Sequence, residues 1–424
     1  MTEYSDRVGE PFRFDYDSPV VRYGAGSVAD LADELDAQGL DDALVVCGST
    51  VGSTPSVLDP VTDGLGDRLA GVFSETTPEK LLSTALDGRD AYHEHGADAI
   101  VALGGGSSLD VAKAVSTLVA GDHDPEEAAQ ALTDTHTLPM PDGDFPPIVA
   151  VPTTLAGAEL SNVAGLAALP DGGLVDSPVS GGLSDRRLMP TAVVYDPDLV
   201  ATTPRGVLVG SAMNGFDKGI ETLYAANATP ITDATAVRGV RLMADGLRDL
   251  GDGDVTAATL EPVLEGLMLV QYGISRPGET TLSIIHSFGH GLTRGFDVQQ
   301  GEAHAVVAPH VLRYLFEEVD GRRDLLADAL DVADVRKTTE SSSAAHQNAE
   351  RSEDADDRAE AVVDAVADVR DALGLPSSLR DVDGPEPRDF PSVANSVVKD
   401  SFMANAPTDL DLTTDDVEAV LHAA

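Results

Sequence analysis

The sequence predicts a two-part fold: an α/β half built on a doubly wound parallel sheet of Rossmann-like type, followed by an all-α helical half. Three observations carry this. Short apolar runs alternate with helix-length segments over the first two hundred residues, a glycine cluster follows one of those runs directly, and beyond Asp196 only helical patterns remain.

In the first half, the runs Ala43–Cys47, Asp98–Leu103, Ile148–Val151 and Ala192–Tyr195 (ALVVC, DAIVAL, IVAV, AVVY) read as buried strands. They are continuous rather than alternating, as expected of strands covered on both faces. Helix-like segments lie between them at Ser27–Gln38, Thr77–His95 and Leu109–Ala120. Strand–helix alternation of this kind predicts a parallel sheet. Thr203 followed by Pro204 is a helix-start signal. From there the pattern predicts helices over about 204–226, 233–250, 258–273, 280–293, 302–317, 355–373 and 413–422. In the sixth, Val362, Val366, Val369 and Leu373 share one face and Gly374 supplies a C-cap. Lys337–Asp357, polar and Ser-rich, reads as a surface loop. The domain division expected is 1–197 and 198–424.

Composition narrows the classes of function. The chain has 424 residues, 73 acidic against 27 basic, and a formal net charge of −46. Such a charge repels phosphate backbones and anionic lipid, so neither nucleic acid nor membrane is an expected partner. No apolar stretch reaches the ~18 residues that a membrane helix needs. The first residues, MTEYSDRVGEPF, carry no basic region and no apolar run, so no signal peptide is expected there. One cysteine, Cys47, rules out an internal disulfide and a Cys-rich metal site. These points predict a cytoplasmic protein. The acidic residues are dispersed along the chain, and lysine occurs only at 80, 113, 218, 337 and 399. This bias is expected of a salt-rich cytoplasm, where the Debye length shrinks to about 3 Å at 1 M and self-repulsion is screened.

The clearest site signal is IVALGGGSSLDVAKAV. A buried strand ends at Leu103, Gly104, Gly105 and Gly106 follow, and a helix begins near Ser107. Glycines let backbone N–H groups approach a ligand, and a helix N-terminus carries partial positive charge, so together they form a pyrophosphate cradle. The pattern is neither the spaced G-x-G-x-x-G fingerprint nor a Walker loop. It stands at the carboxyl end of a strand, the ligand edge of such sheets. Asp110, in the same helix, is expected to bind the cofactor too. A second strand end runs into Pro152, Thr153 and Thr154, whose hydroxyls would face the same crevice. After the strand ending at Cys47 come Gly48, Ser49 and Thr50, with no acid. NAD-specific sites place an acid there, so the segment leans towards NADP, with Ser49 near the 2′-phosphate.

GGGSSLDVAK (104–113), VPTTLAGAELS (151–161), YDPDLVATTP (195–204) and a His-x-x-x-His helix resemble the iron-containing (group III) alcohol dehydrogenase family, in its order and over nearly the whole chain. Within it, TTLAGAE (153–159), IETLYA (220–225) and EAHAVVAPH (302–310) are most similar to the maleylacetate reductases. The resemblance implies an N-terminal dinucleotide-binding domain, a C-terminal helical domain, hydride transfer between nicotinamide and a small alcohol or carbonyl compound, and a homodimer. Members that use iron or zinc hold it with one Asp and three His. Aligned on IETLYA, those positions are Asn214, Lys218, His286 and Gln300, so no catalytic metal is expected. An ammonium has no lone pair to offer a metal. A shifted register offers Asp217 and Glu221, with His286 and His290, as an alternative metal-dependent site. A lyase or cyclase of the dehydroquinate-synthase type is an alternative activity.

A buried cation can replace the metal's electrostatic work on the substrate oxygen. Lys218 is the residue expected to do so, with Asn214 one helical turn before it. His286 and His290 share a face of a mostly apolar segment and are expected to line a polar cavity, His286 near the reacting oxygen and His290 near the nicotinamide. Gln300 and His304 are expected on the substrate side, His304 binding an anionic group. A loop lysine of the family, expected about ten residues before Pro190, is Ser180 here.

Overall fold

The structure, a computed structural model, describes residues 11–121, 123–276, 278–333 and 344–424. Eight strands form: β1 (Val20–Tyr23), β2 (Ala43–Gly48), β3 (Leu69–Thr76), β4 (Ala99–Gly104), β5 (Ile148–Pro152), β6 (Val163–Ala168), β7 (Val179–Ser184) and β8 (Ala192–Tyr195). Six make one sheet in the order β1-β8-β5-β4-β2-β3, every pair parallel. β6 and β7 form a separate antiparallel hairpin.

Period-2 alternation sends the sheet's side chains into two cores. Leu44, Val46, Ile100, Ala102, Ile148, Ala150 and Val193 face a large core that continues through the helical half. Val45, Cys47, Val101, Leu103, Val149, Val151 and Val194 face a smaller one with Leu31, Leu35, Val57 and Val61. Both faces are therefore covered, and the strands read as continuous apolar runs for that reason. After β8, Asp196 accepts from the backbone N–H of Asp198 and Leu199 at a short helix, and also from Gly26 and Val28. That one carboxylate ties the end of the sheet to its N-terminal edge.

Beyond this point the chain is helical: Arg205–Tyr224, Pro230–Asp252, Ala257–Ile274, Ile284–Thr293, Gln300–Glu318, Arg323–Ala329, Ala344–Ala372, Phe390–Val398 and Thr414–Ala423. Reciprocal Thr–Thr capping boxes start two of them, Thr229 with Thr232 and Thr256 with Thr259.

The four predicted strands stand within a residue of their expected places. β1, β3 and the hairpin were not predicted, nor were the helices Pro125–Thr135, Arg323–Ala329 and Phe390–Val398. β1 and β3 are the outer strands, and most of their residues are only partly buried, so neither shows a long apolar run. The segment predicted to be helical from Thr77 first makes a turn, with Lys80 at φ 55°, and becomes helical at Leu82. The loop expected over Lys337–Asp357 is a correction: from Ala344 onward this stretch is already helix, running to Ala372. Ala, Glu and Arg are strong helix formers and outweigh its polarity. Residues 337–343 lie outside the described residues.

Candidate active site

The order of β2, β3 and β4 creates a crevice. The chain passes from β2 outward to β3 and then returns to the other side of β2 for β4. Connections leave that point in opposite directions, which opens a cleft at the carboxyl ends of the strands. Gly104, the last residue of β4, has φ +132°, a conformation that a residue with a Cβ rarely adopts. The helix Gly106–Gly121 begins two residues later. A Cβ on Gly105 would come within 2.9 Å of Thr154 Cγ2, so the glycine loop and the Pro-Thr-Thr turn after β5 stand against each other as two walls. The backbone N–H of Thr153 donates to the Gly104 carbonyl at 3.0 Å. Thr153 is buried, and Thr154, Gly105, Gly106 and Ser107 are half-buried. Ser49 and Thr50 are exposed at the end of β2.

Asp110 occupies a different place from its neighbours in the loop. Its Oδ2 accepts from Lys80 Nζ at 2.6 Å and from the Gly165 backbone N–H at 3.1 Å. It therefore fastens the helix to β6. Lys113, fully buried, donates to the carbonyls of Ala158 (3.1 Å) and Val163 (3.0 Å). Burial lowers its amine to about 8.

A cavity of about 300 Å³ lies between the two halves, lined among others by Asp110, Gly157, Asn162, Lys218, Arg276 and Phe402. Lys218 projects into it from the helix Arg205–Tyr224 and donates to the Gly157 carbonyl at 3.3 Å. Burial pushes its amine down to about 8, against the opposing pull of Glu159, Asp110 and Glu221. Glu159 is itself buried, accepts from the Tyr195 hydroxyl at 2.8 Å, and is raised by burial.

Behind Lys218 lies a cluster of acids and imidazoles. His286 Nε2 is 3.1 Å from Asn214 Oδ1 and its Nδ1 is 2.5 Å from Glu221 Oε2. Burial pushes Glu221 up to about 7 and holds His286 well below its ordinary value. His304 packs edge-on against His286, with ring centroids 4.4 Å apart. Its Nδ1 is 3.3 Å from Asp217 Oδ2, and both side chains are completely buried.

Asn214, Lys218 and His286 stand near one another. His304 is a correction: it is enclosed behind His286 and does not line the cavity, because the helix Gln300–Glu318 packs so closely on its neighbour that a Cβ on Gly301 would strike the Gly210 carbonyl. His290 is partly exposed, with Nδ1 2.9 Å from Asp400 Oδ2 and its ring 5.1 Å from Phe402. Gln300 sits half-buried in the first turn of its helix. Sequence reasoning missed Arg276, a buried guanidinium on the cavity wall paired with Glu279 at 2.6 Å. It also missed Glu159, Asp400 and Phe402. The two acids gave a weak signal, since acids are everywhere in this chain. Lys113 was legible in the glycine motif as a rare lysine.

At the positions aligned with the family's metal ligands stand Asn214, Lys218, His286 and Gln300. Lys218 offers an ammonium, and both nitrogens of His286 already have partners in Glu221 and Asn214. In the alternative register Asp217 faces His304, Glu221 is taken up by His286, and His290 pairs with Asp400. Among the described residues no three His, Cys, Asp or Glu side chains gather in a way that could hold a metal ion.

A parallel sheet with a glycine loop at its crossover is joined to a helical half across a cavity that Lys218 enters. Residues 18–197 match the iron-containing alcohol dehydrogenase family, and residues 208–424 match the C-terminal region of the Fe-containing alcohol dehydrogenase family. The chain belongs to that family and is an oxidoreductase within it, similar to the maleylacetate reductases. It is 25% identical over 407 residues to maleylacetate reductase 1 of Cupriavidus pinatubonensis, covering 94% of each chain. The structure of maleylacetate reductase from Agrobacterium tumefaciens superposes with a TM-score of 0.74, at 24% identity and 98% coverage of both chains. That of sulfoacetaldehyde reductase from Bifidobacterium kashiwanohense, in complex with NAD+, has a TM-score of 0.79 at 20% identity, covering 97% of this chain and 99% of the other. No helix among the described residues is long and apolar enough to cross a membrane.

Proposed function

We propose that this oxidoreductase carries a hydride between NAD(P) and a small alcohol or carbonyl compound, without a catalytic metal. One observation carries the reading: Lys218 reaches from the helical half into the cavity that also touches the glycine-loop helix. In this assignment residues 1–197 bind the dinucleotide and 198–424 supply the substrate side. Gly104, Gly105, Gly106 and Ser107 hold the pyrophosphate, and Thr153 and Thr154 form the opposite wall. Ser49, exposed where an acid would select NAD, leans the site towards NADP. Asp110 acts through the joint with Lys80 and Gly165 rather than on the cofactor directly.

A nicotinamide cofactor held by Gly104, Gly105, Gly106 and Ser107 would supply the hydride in the reducing direction, and the carbonyl oxygen would then carry the developing negative charge. The Lys218 ammonium stabilises that charge, and a proton completes the alcohol. Asn214 and His286 lie beside this amine; His290 and Gln300 are assigned to the cavity rim. Lys218 and Arg276 give an otherwise strongly acidic chain two cations in one cavity. A carbonyl compound with an anionic group fits that charge, and the maleylacetate reductase relatives support a reducible carbonyl. A homodimer in a salt-rich cytoplasm completes the assignment, with neither nucleic acid nor membrane as partner. The test is NAD(P)H oxidation by the purified protein with a panel of aldehydes and oxo acids in molar KCl. Dinucleotide binding without turnover of any member would reject the reading.

A further inference from the structure

We infer that Arg276 is a specificity-determining residue: the Nε–Nη2 edge of its guanidinium anchors a carboxylate of the substrate and so selects an oxo acid over the same compound without the charge. The inference rests on the reading in which the carbonyl oxygen meets Lys218, and adds where the other end of the molecule is held.

A turn just beyond the helix Ala257–Ile274 sets the place of Arg276. Its backbone N–H donates to the Ile274 carbonyl at 3.0 Å, and its own carbonyl accepts from the Glu279 N–H at 3.2 Å. Gly278 takes φ +71° within that turn, a conformation that glycine adopts readily. The guanidinium is then held on two sides. Nη1 donates to a Glu279 carboxylate oxygen at 2.6 Å, and the Phe14 ring centroid lies 5.6 Å from the guanidinium carbon. The remaining edge is poorly engaged. Nη2 has a 3.5 Å contact with the Asn227 carbonyl, and Nε, though buried, has no hydrogen-bond partner among the described residues. Nε and Nη2 form the side-on fork of an arginine, which a carboxylate meets with two parallel hydrogen bonds. An unpaired buried donor is costly, and this one belongs to a side chain only 3% exposed on the wall of the cavity.

A second donor stands between this fork and Lys218. Gln271, in the last turn of the same helix, is buried on the cavity wall, and its Nε2 also lacks a partner among the described residues. A Cβ on Gly157 would strike that amide, and the Gly157 carbonyl is the one that holds Lys218. The acids on the wall are already engaged, Asp110 by Lys80 and Gly165, Glu279 by Nη1. A carboxylate on the substrate supplies the acceptor oxygens that Arg276 and Gln271 lack. A neutral carbonyl compound leaves those donors unpaired, which is how a site built for a polar group rejects the analogue without it.

The test compares oxo acids with their own methyl esters in molar KCl, which keeps the carbonyl and removes the charge. In the wild type, kcat/KM for the best acid should exceed that for its ester by about 10- to 100-fold. Arg276→Met should abolish this preference by raising the KM for the acid, with kcat and the KM for the ester nearly unchanged. Lys218→Met should instead slow acid and ester alike. Glu279→Gln removes a competing carboxylate from the guanidinium, so the KM for the acid should fall and that for the ester should stay. Equal use of acid and ester by the wild type, or a preference that survives in Arg276→Met, would overturn the inference. If Arg276→Met does not fold, a KM for the acid that is unchanged or higher in Glu279→Gln overturns it. Equilibrium titration of the same acids into protein saturated with NAD(P)+ needs no turnover. A wild type that binds the acids without reducing any of them rejects the hydride-transfer reading alone, and equal acid binding by wild type and Arg276→Met rejects the anchor.

Discussion

The Nζ of Lys218 lies 3.3 Å from the carbonyl oxygen of Gly157. That hydrogen bond crosses from the helical half to the loop after β5, and it fixes where the one cavity-lining lysine ends. Lys113 Nζ, from the glycine-loop helix, holds the next carbonyl, that of Ala158. Two of the chain's five lysines therefore hold adjacent carbonyls of one loop.

If Lys218 stabilises the substrate oxygen, Lys218→Met should lower turnover by about 100- to 1000-fold while leaving NAD(P)H affinity nearly unchanged. Methionine keeps the apolar stem and removes the charge. Steady-state kinetics with a fluorescence titration of the cofactor check this. Retention of a third or more of wild-type turnover would place the stabilising group elsewhere.

The same amine sets a pH dependence. Burial lowers it to about 8, so the ammonium is lost as pH rises through that value. Carbonyl reduction should fall above about pH 8 in the wild type. In Lys218→Met the residual rate should lack that limb. A pH–rate profile of both proteins, from pH 6 to pH 10, separates the outcomes.

At the cradle, Gly105→Val should raise the Kd for NAD(P)H by at least about tenfold, a cost of about 1.4 kcal/mol. The added carbon atoms meet Thr154 across the crevice, where a bare Cβ already stands at 2.9 Å. Far-ultraviolet circular dichroism should be unchanged. Unaltered cofactor affinity would move the pyrophosphate away from this loop.

Chelation should be without effect. The donor groups at the family's ligand positions are an amide, an ammonium, an imidazole with both nitrogens engaged, and a second amide. Activity after dialysis against EDTA should equal that before it, and elemental analysis should find far less than one iron, zinc or manganese per chain. Loss on chelation with recovery on adding metal would return the Asp217 and Glu221 register to consideration.

Glu221 gives a stability prediction with a definite sign. Its ordinary value of 4.5 is raised to about 7 by burial. The folded state therefore binds the extra proton more tightly than the unfolded state does. That contribution is intact below about pH 4.5 and is lost as pH rises through about 7. Glutamine cannot ionise, so the Tm of wild type relative to Glu221→Gln should decline from pH 5 to pH 8. A constant difference across that range would contradict the shift.

The inner strands β2, β4, β5 and β8 were legible because both faces are buried, and burial writes a continuous apolar run. The outer strands β1 and β3 and the hairpin β6–β7 lack that covering, and their composition blends with loops. The glycine loop was legible for a similar reason: Gly104 takes a φ of +132°, which a residue with a Cβ rarely adopts. The cluster behind Lys218 was only half legible. Helical spacing put Asn214 and Lys218 on one face, but no spacing rule says which of several histidines a distant helix will enclose. His304 went behind His286, and Asp400, more than a hundred residues away in sequence, came to His290.

The loop between β5 and β6 has one end at the cradle and its middle at the lysine. Thr154 stands against Gly105, and three residues later the Gly157 carbonyl holds Lys218. On the proposed function, a dinucleotide settling against the first contact would shift the second through a segment of four residues. The consequence is kinetic order. Cofactor should bind first and product alcohol leave before it, with the lysine set for its substrate only after the cradle is filled. In product-inhibition patterns the oxidised cofactor should then compete with NAD(P)H, and the alcohol should not.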